Sequence, residues 1–112
     1  MKYIVRVQPT EENRHWKLLE SFHTPLFIVP EGFVTDGASV PIGLRWRFPH
    51  GGRKFAAAVA HDYAYQTGVC NRAQADRLFY KLMIENGVGK HDANLLYWGV
   101  KLFGWIVWNK RR

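Results

Sequence analysis

One cysteine, Cys70, is all the chain has, so no internal disulfide can form and a disulfide-stapled secreted scaffold is excluded. With no CxxC partner, Cys70 reads as a turn or core residue rather than a nucleophile, in a chain suited to a reducing compartment. The opening stretch, MKYIVRVQPTEE, lacks the apolar core of a signal peptide, so secretion by that route is not expected. No apolar run reaches the roughly 20 residues of a membrane-spanning helix, so no transmembrane segment is expected. Low-complexity runs and internal repeats are also missing, while hydrophobic residues make up 47% and aromatics 15%. That balance belongs to folded globular proteins rather than disordered ones.

Acidic residues are scarce as well. Sixteen Lys and Arg face nine Asp and Glu, a formal charge of +7. The imbalance is uneven: residues 1–50 hold six basic against five acidic, and residues 51–112 hold ten against four. A basic half favours nucleic acid, anionic lipid or an acidic protein surface as partner, and equally suits a merely solubilising surface. At 112 residues the chain fits one domain with one core, residues 1–112.

Lys2 to Val7 alternates, with Tyr3, Val5 and Val7 on one side, and reads as a first strand ending at Pro9. A polar turn, Thr10 to Arg14, precedes Trp16 to Phe22, whose spacing fits helix or strand and is assigned to strand. Leu26 to Val29, the turn Pro30-Glu31-Gly32 and then Phe33-Val34 predict a hairpin. The loop Thr35-Asp36-Gly37-Ala38-Ser39-Val40-Pro41 follows, either a tight turn or a stretch whose backbone N–H groups face a ligand.

After Pro49-His50-Gly51-Gly52 the pattern becomes helical. A first helix covers about Arg53 to Gln66 and stops at Gly68. Asn71 caps a second, with Gln74 completing a capping box, and the face Ala75, Leu78, Phe79, Leu82, Met83 runs to Gly87. A short connection makes these two an antiparallel hairpin. A third helix from about His91 to Trp108 is apolar on almost every side from Ala93 onward, which predicts burial. Its end, Trp105 and Trp108 followed by Lys110, Arg111 and Arg112, also suits docking on a membrane interface or a partner protein. The fold class expected is α+β, strands first and helices after, without βαβ alternation.

The stretch FAAAVAHDYAYQTGVCNRAQAD, from Phe55 to Asp76, sets ionisable groups on an apolar helix. His61 and Tyr65 share a face, Asp62 lies about 100° round, and Asp76 starts the antiparallel partner. A carboxyl group accepting the imidazole Nδ1–H would fix the tautomer and raise the basicity of the other nitrogen. Asp62 would then be free to bind a hard cation together with carbonyls of the loop at Asp36 to Ser39.

His61, Asp62, Tyr65 and Asp76 together resemble the HDxxY motif and helix-borne Asp of phospholipase A2, most nearly the short viral type. The resemblance implies a His base, a calcium-binding Asp and an Asp that holds the His; the glycine-rich calcium loop and the disulfides of secreted members are lacking. Over nearly the whole chain, PEGFVTDGASVP, AAAVAHDYAY, RAQADRLFYKLM and YWGVKLFGW in that order resemble the bacteriophage and prophage family catalogued as domain of unknown function 1353. That likeness implies a phage-associated origin and no particular activity.

Two readings stay open. In the first, the protein is a non-enzymatic, virion-associated or accessory module that binds a phage or host protein and needs no cofactor, with His61, Asp62 and Asp76 as a satisfied polar network. Non-specific, salt-dependent nucleic-acid binding is a variant of it, since no base-reading motif accompanies the charge. In the second, it is a calcium-dependent ester hydrolase acting on anionic lipid, with His61 as general base, Asp76 and Tyr65 beside it, and Thr35, Asp36, Gly37 and Ser39 facing the site. Either way the expected location is the host cytoplasm or an assembled virion.

Overall fold

The computed structural model describes residues 2–11, 15–35 and 52–111, with the backbone alone at 103, 106, 107, 110 and 111. Among the described residues five short strands precede three helices: β1 (Val7–Pro9), β2 (Trp16–Leu18), β3 (Phe22–His23), β4 (Ile28–Val29), β5 (Val34–Thr35), α1 (Phe55–Thr67), α2 (Arg72–Glu85) and α3 (Lys90–Arg111). Strands pair antiparallel in two sheets, β1-β2-β5 and β3-β4. The class is α+β.

At the centre stands α1, whose Ala56 to Ala60 run is at most 2% exposed. Alanine favours helix at little entropic cost and lets neighbouring backbones come close. Gly68, at φ +69°, ends it by donating its N–H to Ala64 O, a left-handed position where glycine has no Cβ penalty. Just beyond, Asn71 opens α2 with the full capping box, its side chain accepting from Gln74 N while Gln74 Oε1 accepts from Asn71 N. The far end of α2 is a Schellman turn: Val88 N–H reaches Met83 O and Gly87 N–H reaches Ile84 O, with Gly87 at φ +89°. The two helices run antiparallel, since Arg53 at the start of α1 meets Asn86 and Gly87 at the end of α2. Phe79, Leu82 and Met83 of α2, Leu96 and Val100 of α3, and Leu18 and Val29 of the strands complete the core.

Three expectations need correction. The alternating Lys2 to Val7 run enters the β ladder only at Val7, because Tyr3 pairs elsewhere. Tyr3 N–H donates to Asn86 Oδ1 (2.6 Å) and Asn86 Nδ2 donates to Tyr3 O (2.9 Å), so one buried carboxamide takes the place of a neighbouring strand. Trp16 to Phe22 divides into β2 and β3, which join different sheets. The turn at Pro30 to Phe33 exists, with Phe33 N–H on Pro30 O and Gly32 at φ +88°, yet the strands it joins do not pair with each other. β4 pairs back with β3, where Thr24 Oγ1 ties the connecting turn, and β5 pairs with β2.

α3 is not buried all round. Leu95, Trp98, Leu102 and Trp105 are each about half exposed, because α1 already fills the centre and α3 packs from one side, chiefly on α2 and less on α1.

Candidate functional site

His61 and Tyr65, one turn apart on α1, both meet Asp76 in the second turn of α2. The short connection through Gly68 folds α2 back against the last turns of α1, which brings the three together. His61 Nε2 lies 2.9 Å from Asp76 Oδ1, and Tyr65 Oη donates to that same oxygen at 2.7 Å. Arg72, one turn before Asp76, sets its Nε 3.8 Å from the other oxygen. The imidazole is held between two rings, Tyr65 at 4.2 Å and Phe79 at 5.0 Å between centroids. Its side chain is 11% exposed and that of Asp76 3%.

The nitrogen facing Asp76 is Nε2, not the Nδ1 expected. With the carboxyl oxygen accepting, Nε2 carries the proton and Nδ1 is the basic nitrogen. Nδ1 has no hydrogen-bond partner among the described residues. Burial, and then the bond to Asp76, raises the Tyr65 phenol far above the ordinary tyrosine value. Tyr65 therefore stays a hydrogen-bond donor at any physiological pH. Burial first, and then Asp76, also raises the Cys70 thiol, which keeps it from forming the reactive thiolate.

Asp62 turns toward the sheet instead. Its Oδ2 accepts from Thr35 Oγ1 at 2.9 Å and from Gln66 Nε2 at 3.0 Å, which ties the end of β5 to α1. Thr35 is fully buried. A cation at that oxygen would compete with two donors already in place. Among the described residues no cluster of three His, Cys, Asp or Glu side chains is placed to hold a metal. Asp36, Gly37 and Ser39 lie outside the described residues, as do Arg112 and the side chains of Lys110 and Arg111.

The third helix closes the network from outside. Trp108 meets the Tyr65 ring edge-on at 5.2 Å, so it is turned inward, whereas Trp105 is half exposed. One turn before Trp108, Gly104 is buried under the same ring, where a Cβ would lie 2.5 Å from Tyr65 Oη. Sequence reasoning missed Gly104, Gln66 and Asn86. Gln66 had a signal in its four-residue spacing from Asp62.

A groove lies along the seam of α2 with α3 and borders the cluster at Asp76. One cavity of about 430 Å3 is lined by Arg77, Tyr80, Lys81, Asn94, Tyr97 and Trp98. A second of about 250 Å3 shares Arg77 and Tyr97 with it and adds Arg72, Ala73, Lys101 and Asp76 of the cluster.

The fold and site define a small α+β domain with a His-Asp-Tyr cluster closed between two antiparallel helices. The chain belongs to the family described as Protein of unknown function (DUF1353), whose profile matches residues 15–100. Two proteins of Sinorhizobium fredii are similar to it: the uncharacterized protein y4jT, 37% identical over 68% of this chain, and the uncharacterized protein y4iH, 34% identical over 62%. The matched part is 23% and 30% of the length of those relatives, so the chain corresponds to a fraction of each. No solved structure matches it. No helix among the described residues is long and apolar enough to cross a membrane.

Proposed function

We propose that the protein is a non-enzymatic binding module in which the His61-Asp76-Tyr65 cluster holds the helix hairpin rigid. The observation that carries this reading is closure. The imidazole is almost enclosed, its Nε2 is committed to Asp76, and Asp62 is occupied by Thr35 and Gln66. Among the described residues, an open concave surface runs between α2 and α3 and meets the cluster only at the buried Asp76. The phage and prophage resemblance fits a virion-associated or accessory role in a host cytoplasm, with a phage or host protein among its partners. Melting the Asp76→Ala variant tests the structural role. The reading expects a loss of about 1–3 kcal/mol for each buried donor left unpaired, and no rise in melting temperature of the wild type with millimolar calcium. A calcium-induced rise that Asp62→Asn abolishes would oppose it, since only a ligand of the folded state stabilises by mass action.

One observation favours a second reading, the calcium-dependent hydrolase of anionic lipid. Nδ1 of His61 lacks a partner among the described residues, while a carboxyl group backs Nε2. In that reading Nδ1 takes a proton from water, and Asp76 stabilises the imidazolium through Nε2–H. Its signature is hydrolysis of phospholipid that requires both calcium and His61.

A further inference from the structure

We propose that the groove between α2 and α3 binds single-stranded nucleic acid, with bases stacked on its aromatic rings and phosphates on its cations. This deepens the binding-module reading and rests on it. The two cavities adjoin along the helix seam, with Arg77 and Tyr97 common to both, and together make the slot. The slot offers three aromatic rings, Tyr80, Tyr97 and Trp98, set edge to face at 5.7 and 5.9 Å. Trp98 is half exposed and keeps surface available for stacking.

The charge of the slot is one-sided. Arg72, Arg77, Lys81 and Lys101 line it, with Arg72 already held by Asp76 and Lys101 O, and among the described residues its one acidic wall residue is Asp76, whose side chain is 3% exposed and bonded inward to His61 and Tyr65. Arg77 is exposed and makes no ion pair or hydrogen bond among the described residues. Lys81 lies 3.6 Å from Glu85, a half-buried carboxyl group that also takes Lys2 and Tyr3, so this pair competes weakly with a phosphate. Lys101 sits over Trp98 at 5.0 Å and Tyr97 at 5.6 Å, so a base arriving on Trp98 displaces an ammonium toward its own phosphate. Aromatic rings interleaved with cations in a slot are the working parts of sequence-tolerant single-strand binding. A lipid bilayer would instead meet the convex ridge of Leu95, Trp98, Leu102 and Trp105 on α3.

The test is fluorescence anisotropy with a labelled oligothymidylate across a salt series, with duplex DNA of the same length and phosphatidylglycerol vesicles as parallel arms. We expect the single strand to bind more tightly than the duplex. Trp98→Ala is expected to weaken it about tenfold, within the range set by loss of one stacked base. Arg77→Gln is expected to lower the log–log salt slope by about 0.7, the value for one phosphate contact on a single strand. Both side chains are exposed, so unchanged melting temperatures check that the variants fold. Preference for duplex, indifference to both substitutions, or capture of vesicles alone would overturn the ligand class and leave the binding-module reading standing. His61-dependent lipid hydrolysis would sink that reading by a different readout.

Discussion

One carboxyl oxygen, Asp76 Oδ1, receives both Tyr65 Oη and His61 Nε2, and the residue-scale consequences follow from that sharing. Tyr65→Phe removes one donor and keeps the ring packing, so it is expected to cost about 0.5–1.5 kcal/mol, less than Asp76→Ala. The pH dependence has a definite sign. The Tyr65 pKa is raised in the folded state by burial, so its proton is held more tightly there than in the unfolded chain. Its stabilising contribution is complete below the ordinary tyrosine value of about 10 and is lost as pH climbs above it. Melting curves from pH 8 upward are expected to show a steep alkaline decline that Tyr65→Phe makes shallower. Tyr3 and Cys70, also raised by burial, contribute to the residual slope. An identical decline in both proteins would show that the phenol is not the titrating group.

At the scale of elements, α3 is fastened to the cluster through a missing side chain. An added Cβ at Gly104 would lie 2.5 Å from Tyr65 Oη and 3.3 Å from its ring carbons, so Gly104→Ala must shift a ring anchored to Asp76. Overpacking of this kind costs about 1–3 kcal/mol, and urea titration checks it. Asn71→Ala at the capping box is expected to cost about 1 kcal/mol. The helices were legible in the sequence because caps and the α2 face write themselves locally, and the short loop after Gly68 brought Asp76 toward His61. The strands were legible as a class but not in their pairing. Strands of two or three residues show almost no period, and the choice of β2 rather than β4 as partner for β5 is made by tertiary contact. The Tyr3 to Asn86 bonds bridge 83 positions, a separation no local pattern encodes.

Over the whole molecule, the apolar third helix misled in an instructive way. Its residues are hydrophobic on most sides, yet the alanine-rich α1 occupies the centre and leaves Leu95, Trp98, Leu102 and Trp105 facing outward. The excess of cations in residues 51–112 was visible from composition, whereas its concentration beside the rings of one groove needed the packing of α2 on α3. In the binding-module reading, enclosure of the polar cluster, which meets the cationic groove at Asp76, leaves His61 without a catalytic role. This is tested most directly by measuring fatty-acid release from phosphatidylglycerol vesicles in millimolar calcium, with wild type beside His61→Ala. No release above the protein-free rate is expected from either protein. Calcium-dependent release by the wild type that disappears in His61→Ala would contradict it.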